Sequence, residues 1–141
     1  MRHLSTTLLI AALTACSSSS TSELSGPPDT NQTTTQREVG KATLKIGESI
    51  VINDLRLTFK SVESDSRCPI DAVCVWAGDG EIALKVEQGT QTAVAALHTM
   101  LEPKKTSWNG YTISLVSLTP TRRASVAVDP ADYRAEVVVS R

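Results

Sequence analysis

Leu55-Arg56-Leu57-Thr58-Phe59-Lys60 alternates apolar and polar side chains without a break. Successive side chains of an extended chain point to opposite faces, so Leu55, Leu57 and Phe59 share one face and the polar residues the other. Upstream, Asn53-Asp54 is a turn pair, and before it Ile50 and Ile52 keep the same period. Gly47-Glu48 breaks the pattern, and Ala42, Leu44 and Ile46 repeat it between Lys and Thr. Downstream of a cysteine-bearing loop and the turn Gly78-Asp79-Gly80, Ile82, Leu84 and Val86 alternate with Ala83 and Lys85. Tyr111, Ile113 and Leu115 follow the same rule, as do Tyr133, Ala135, Val137 and Val139. Strict alternation bounded by Gly, Asn, Asp and Pro marks half-buried strands, and no window of about ten residues holds the helical period. Roughly seven to nine short strands in about a hundred residues predict an all-β domain. The expected architecture is an antiparallel β-sandwich, immunoglobulin-like but without the intersheet disulfide, or a small barrel. Two slips of parity, Phe59 to Val62 and Leu115 to Leu118, predict β-bulges. Asn109-Gly110 between Trp108 and Tyr111 has the chemistry of a two-residue type I′ hairpin.

The 141 residues hold 14 basic and 15 acidic side chains. No basic run exceeds the pairs Lys104–Lys105 and Arg122–Arg123, so nucleic acid is not an expected partner. Met1-Arg2-His3 gives the chain a positive start, and Thr6 to Leu13 is an apolar run far short of the ~20 residues that span a bilayer. That is the plan of an export signal. It ends in Leu13-Thr14-Ala15-Cys16, which resembles the lipobox of bacterial lipoproteins. The resemblance implies removal of residues 1–15 as a lipoprotein signal peptide and acylation of Cys16, the new N-terminus. It implies a membrane partner through that lipid. Ser17 rather than Asp after the cysteine implies an outer-membrane location, facing the periplasm, in an organism that has one. Ser17 to Arg37 contains one large aliphatic residue, Leu24, too little to offset chain entropy. Residues 16–40 therefore read as the lipidated cysteine and a flexible tether of roughly 25 Å reach, and residues 41–141 as the β-domain.

With Cys16 assigned to lipid, Cys68 and Cys74 remain, and in an oxidising compartment they most simply pair. Together with Pro69 the ring leaves Arg67 to Cys74 few conformations. The segment Asp65-Ser66-Arg67-Cys68-Pro69, four residues, then Cys74-Val75-Trp76-Ala77-Gly78, is similar to a pattern of small uncharacterised bacterial lipoproteins. That resemblance implies a β-domain and an envelope location, and it carries no activity.

The rigid loop with Arg67 and Asp71, and the aromatic pair Trp108 and Tyr111 at a hairpin tip, are the candidate contact surfaces, for an envelope protein or a glycan. Trp76 is expected to be buried on the disulfide. The expected function is a non-enzymatic binding or structural module on a membrane anchor, with no cofactor, no metal and no catalytic residue. No serine lies in a G-x-S-x-G elbow, and His98 is the single histidine of the mature chain. Two alternatives stay open. Asp65, Asp71, Asp79 and Glu81 could supply the paired carboxylates of a hydrolase. His98 and Met100, at i and i+2 on a strand, could hold copper(I) as soft ligands on one face.

Overall fold

Why an alternating chain of this length must layer into two sheets is plain from its composition: each strand has one apolar face, and two such faces can cover each other. In the computed structural model, which describes residues 36–141, eight strands do so. They are β1 (Glu38–Lys45), β2 (Ser49–Ile52), β3 (Leu55–Asp65), β4 (Gly80–Gln88), β5 (Gln91–His98), β6 (Lys105–Trp108), β7 (Tyr111–Thr119) and β8 (Arg134–Ser140). One antiparallel sheet has the order β1-β8-β7-β6 and the other β2-β3-β4-β5. The fold is a sandwich, not a closed barrel. Apart from β1, which pairs with the last strand β8, neighbours within each sheet are sequential, a meander in place of the interleaved Greek-key order of immunoglobulin domains. Short turns such as Asn53-Asp54 and Asn109-Gly110 impose this, because a two-residue turn joins adjacent strands only.

Between the sheets lie Leu44, Leu55, Leu57, Phe59, Ile82, Leu84, Leu97, Ile113, Val137 and Val139, all buried. The register shifts in β3 between Phe59 and Ser61 and in β7 between Leu115 and Ser117. Each bulge returns a second residue, Val62 or Leu118, to the core side after Phe59 or Leu115. Trp108 and Tyr111 are paired across the hairpin, with Asn109 (φ 45°) and Gly110 (φ 83°) both left-handed as type I′ requires.

Strand β1 starts at Glu38, three residues before the boundary expected at 41. Arg37 and Arg141 exchange backbone hydrogen bonds, and Val39 packs on the core, so these residues belong to the sheet and not to the tether. The expected leader 1–15, the expected lipidation site Cys16 and the expected tether up to residue 35 lie outside the described residues. Strands β5 and β6 were not among the expected segments of alternation. The core face of β5 is Ala93, Ala95 and Leu97, small against the exposed Val94, and β6 carries one large apolar side chain, Trp108.

Antiparallel pairing sorts the connections into two ends. The β3–β4, β5–β6 and β7–β8 loops share one end with the β1–β2 turn. The tight turns at 53–54, 89–90 and 109–110 share the other, where Gln36 leads into β1 and Arg141 closes the chain. At about 3.3 Å per residue, the nine residues of β4 separate the ends by roughly 30 Å.

Candidate functional site

At the loop end, Cys68 and Cys74 form a disulfide with Cα atoms 6.0 Å apart. A ring this small cannot enclose its own side chains, so they must point outward. Ile70, Val73 and Val75 do, and so does Trp76. Val73 and Val75 are as exposed as in an extended peptide (105% and 104%), and Trp76 is 57% exposed. The expected burial of Trp76 on the disulfide is thus not found, and Trp76 is not among the residues packed on the core.

The loop is nonetheless fixed. Cys68 N–H donates to Ala77 O at 2.7 Å and Ile70 N–H to Arg122 O at 3.0 Å. Asp71 accepts from Ala124 N–H at 2.8 Å, and Arg122 Nη1 donates to Arg67 O at 2.9 Å. These bonds zip the cysteine loop to the β7–β8 loop. Gly78 closes its base with φ +72°, and a Cβ there would sit 1.9 Å from Ser66 O, so no other residue fits.

Arg67, expected on the contact surface, is turned inward. Its side chain is 14% exposed and that of Asp65 8%. Nε and Nη2 of Arg67 grip both oxygens of Asp65 at 2.8 and 2.7 Å, Nη2 also reaches Pro120 O at 2.9 Å, and Nη1 donates to Leu118 O. Asp65 further accepts from the Tyr133 hydroxyl at 2.9 Å. Burial works to raise the Asp65 carboxyl, but Arg67 and Tyr133 outweigh it and hold it below the usual carboxylate range. Burial and the same carboxylate push the Tyr133 phenol up. The guanidinium is a strut that joins β3 to the end of β7.

A second strut is Asp79, also buried. Oδ2 accepts from His98 Nδ1 at 2.7 Å, while Oδ1 accepts from Thr99 Oγ1 at 3.1 Å, Met100 N–H at 2.8 Å and Leu101 N–H at 3.3 Å. Burial opposes ionisation here too, but donors from Met100, His98, Leu101 and Thr99 hold the carboxyl at about 2. This network shapes the β5–β6 loop and leaves Met100 and Leu101 half-exposed beside the segment that follows Trp76.

Ten large apolar residues are exposed among the described residues, and seven lie in these three loops at one end: four in the cysteine loop, Met100 and Leu101 in the second, and Val126 in the third. The other three, Val51, Val94 and Val116, stand singly on strands. Scattered apolar residues are ordinary on a surface, but a concentration at one end is not.

The hairpin aromatics are the other correction. Tyr111 is buried, its hydroxyl on Asp54 at 2.7 Å and Arg141 stacked 5.0 Å from its ring centroid. Trp108 is partly buried against the core cluster. Their cross-strand pairing consumes the surface that a ligand would need.

The four acids do not converge on a cleft. Asp65 and Asp79 are ionised and saturated with donors, Asp71 is tied to Ala124 N–H, and Glu81 faces His98 across the β4–β5 ladder. A cleft of about 200 Å³ is lined by Pro120, Thr121, Arg123, Val126, Ala127, Val128 and Asp132. A wider one at the other end has Arg37, Glu38, Val39, Asn53 and Arg141. None of the four acids lines either. No group of three or more His, Cys, Asp and Glu side chains suited to a metal occurs among the described residues, and the His98 ring is engaged by Asp79. The apolar tip was missed in the sequence because its residues break the alternation. The signal was present all the same: Ile70 and Val73 sit in a ring too short to bury them, and Val75 and Trp76 follow directly on it.

Fold and site together define a two-sheet antiparallel β-sandwich that displays a disulfide-clamped apolar loop. Compared with known families, curated proteins and solved structures, the chain matches none.

Proposed function

We propose that this protein is an envelope lipoprotein, anchored through acylated Cys16, whose β-sandwich is a non-enzymatic binding module that makes contact through its clamped loop end. The observation that carries the reading is the joint exposure of Ile70, Val73, Val75 and Trp76 on a loop whose backbone is fixed at both flanks. Displaying a large apolar patch costs solubility, and a preformed contact surface is the usual return for it. The described chain enters the sandwich at the opposite end, at Gln36, so an N-terminal tether would leave the loop end free to meet a partner.

No observation favours the hydrolase or copper readings. Asp65 and Asp79 are depressed carboxylates with their oxygens already used, whereas a general acid needs a raised one. Met100 supplies its backbone N–H to Asp79, and its thioether stands half-exposed on a turn.

The test is chemical crosslinking in intact cells of the wild type and of a Val73→Ser/Val75→Ser variant. The reading expects an adduct that the variant loses while its melting curve is unchanged. An adduct of equal yield in both would remove the loop from the contact. For the anchor, intact mass should show a chain starting at Cys16 with added acyl mass, and Cys16→Ala should leave the membrane fraction.

A further inference from the structure

We infer that the loop end docks on a phospholipid bilayer, Val73, Val75 and Trp76 entering its interfacial layer while Arg122 and Arg123 face anionic headgroups. This rests on the reading of the loop as a contact surface and names what it contacts.

The first argument is shape. Side chains as exposed as those of Val73 and Val75 stand clear of the surface and line neither cleft, and an apolar tip of that kind fits a medium that deforms around it. The second is the lack of polar partners. From Ala72 to Ala77 the only hydrogen-bonding side-chain group is the Trp76 indole N–H. Protein interfaces carry about one hydrogen bond per 100–200 Å² and a polar rim. A bilayer interface asks for little more than apolar side chains and an amphipathic ring such as indole.

Charge gives the third argument. The one acid of the loop, Asp71, is committed to Ala124 N–H. The adjoining segment places two cations next to the tip, Arg122, laid against the loop through Arg67 O, and Arg123, exposed beside it, while its two acids, Asp129 and Asp132, come six or more residues further along the chain. Basic residues beside an apolar tip add attraction to anionic lipid. Finally, the disulfide and the bond from Ile70 N–H to Arg122 O fix the tip beforehand, so little chain entropy is lost on insertion.

The test reads Trp76 directly. Purified mature protein carrying Trp108→Phe has one tryptophan left and is reconstituted with vesicles of phosphatidylcholine and phosphatidylglycerol, with or without brominated acyl chains. Insertion predicts a blue-shifted emission on vesicles and quenching by the bromolipid. Val73→Asp/Val75→Asp should lower the quenched fraction by about fivefold or more with the melting curve unchanged. If Trp108→Phe does not fold, the difference between wild type and Trp76→Phe supplies the same signal. Emission that stays red-shifted and unquenched overturns the bilayer proposal. Should a protein adduct in cells still depend on Val73 and Val75, the contact surface stands with a protein as its occupant. Loss of both signals overturns both.

Discussion

Replacing Arg67 by Ala removes a guanidinium that makes four hydrogen bonds, two of them to the carboxylate of Asp65. What remains is an ionised Asp65 that is 8% exposed and has the Tyr133 hydroxyl as its one other side-chain donor. Breaking a buried ion pair from one side typically costs 3–5 kcal/mol. Arg67 keeps some contact with water, so the lower end applies, about 3 kcal/mol. For a domain of roughly a hundred residues that lowers the melting midpoint by about 12–20 °C. Arg67→Lys keeps the charge but not the planar fork, and should restore less than half of the loss. Adding Asp65→Asn should relieve it, with a coupling of about 2 kcal/mol in a double-mutant cycle. Urea unfolding at pH 7, followed by far-UV circular dichroism, measures all five chains, the Asp65→Asn single variant that closes the cycle included. A cost below about 1 kcal/mol for Arg67→Ala, the scale of a surface pair, would refute the strut.

Four further outcomes follow from the same geometry. The lowered carboxyl of Asp79 contributes about 2 kcal/mol above its ordinary value of 3.8, lost as pH falls towards about 2; Asp79→Asn should flatten that acid limb in pH-dependent urea unfolding. Gly78→Ala drives a Cβ into Ser66 O and should cost at least about 2 kcal/mol by the same assay. Cys68→Ser/Cys74→Ser should cost about 2 kcal/mol without altering the circular dichroism spectrum, and the wild type should show no free thiol from this pair until reduced. Trp76→Ala should change stability by less than about 0.5 kcal/mol, since its ring is mostly in water; a loss of 3 kcal/mol would mean a buried ring.

Strand patterns with large apolar residues on one face were readable directly: Leu55 to Phe59 and Ile82 to Val86 lie where their alternation puts them. Even the bulges were legible, because a slipped parity leaves Phe59 and Val62 on one side. Strand β5 was not, since alanines toward the core and a valine toward water reverse the hydropathy contrast. For the site, the spacing and the oxidising compartment expected from the leader were enough to pair Cys68 with Cys74. The role of Arg67 was hidden because Leu118 and Pro120, which fix its guanidinium, lie more than fifty residues away in sequence. Asp65 beside it read as one of four acids near the loop. Trp108 and Tyr111 show the same difficulty in reverse, as a hairpin tip promises exposure while Asp54 and Arg141 close over the ring.

A binding role for the loop end requires that it, and not the strand faces, touches something in the cell. A photo-reactive amino acid placed at Val75 and, separately, at Val94 compares two exposed valines on one domain. After irradiation of intact cells, mass analysis of the peptide carrying that residue reports protein or lipid attached to it. The account predicts adducts at position 75 and none above background at 94. Equal labelling of the two positions, or labelling confined to 94, would contradict it.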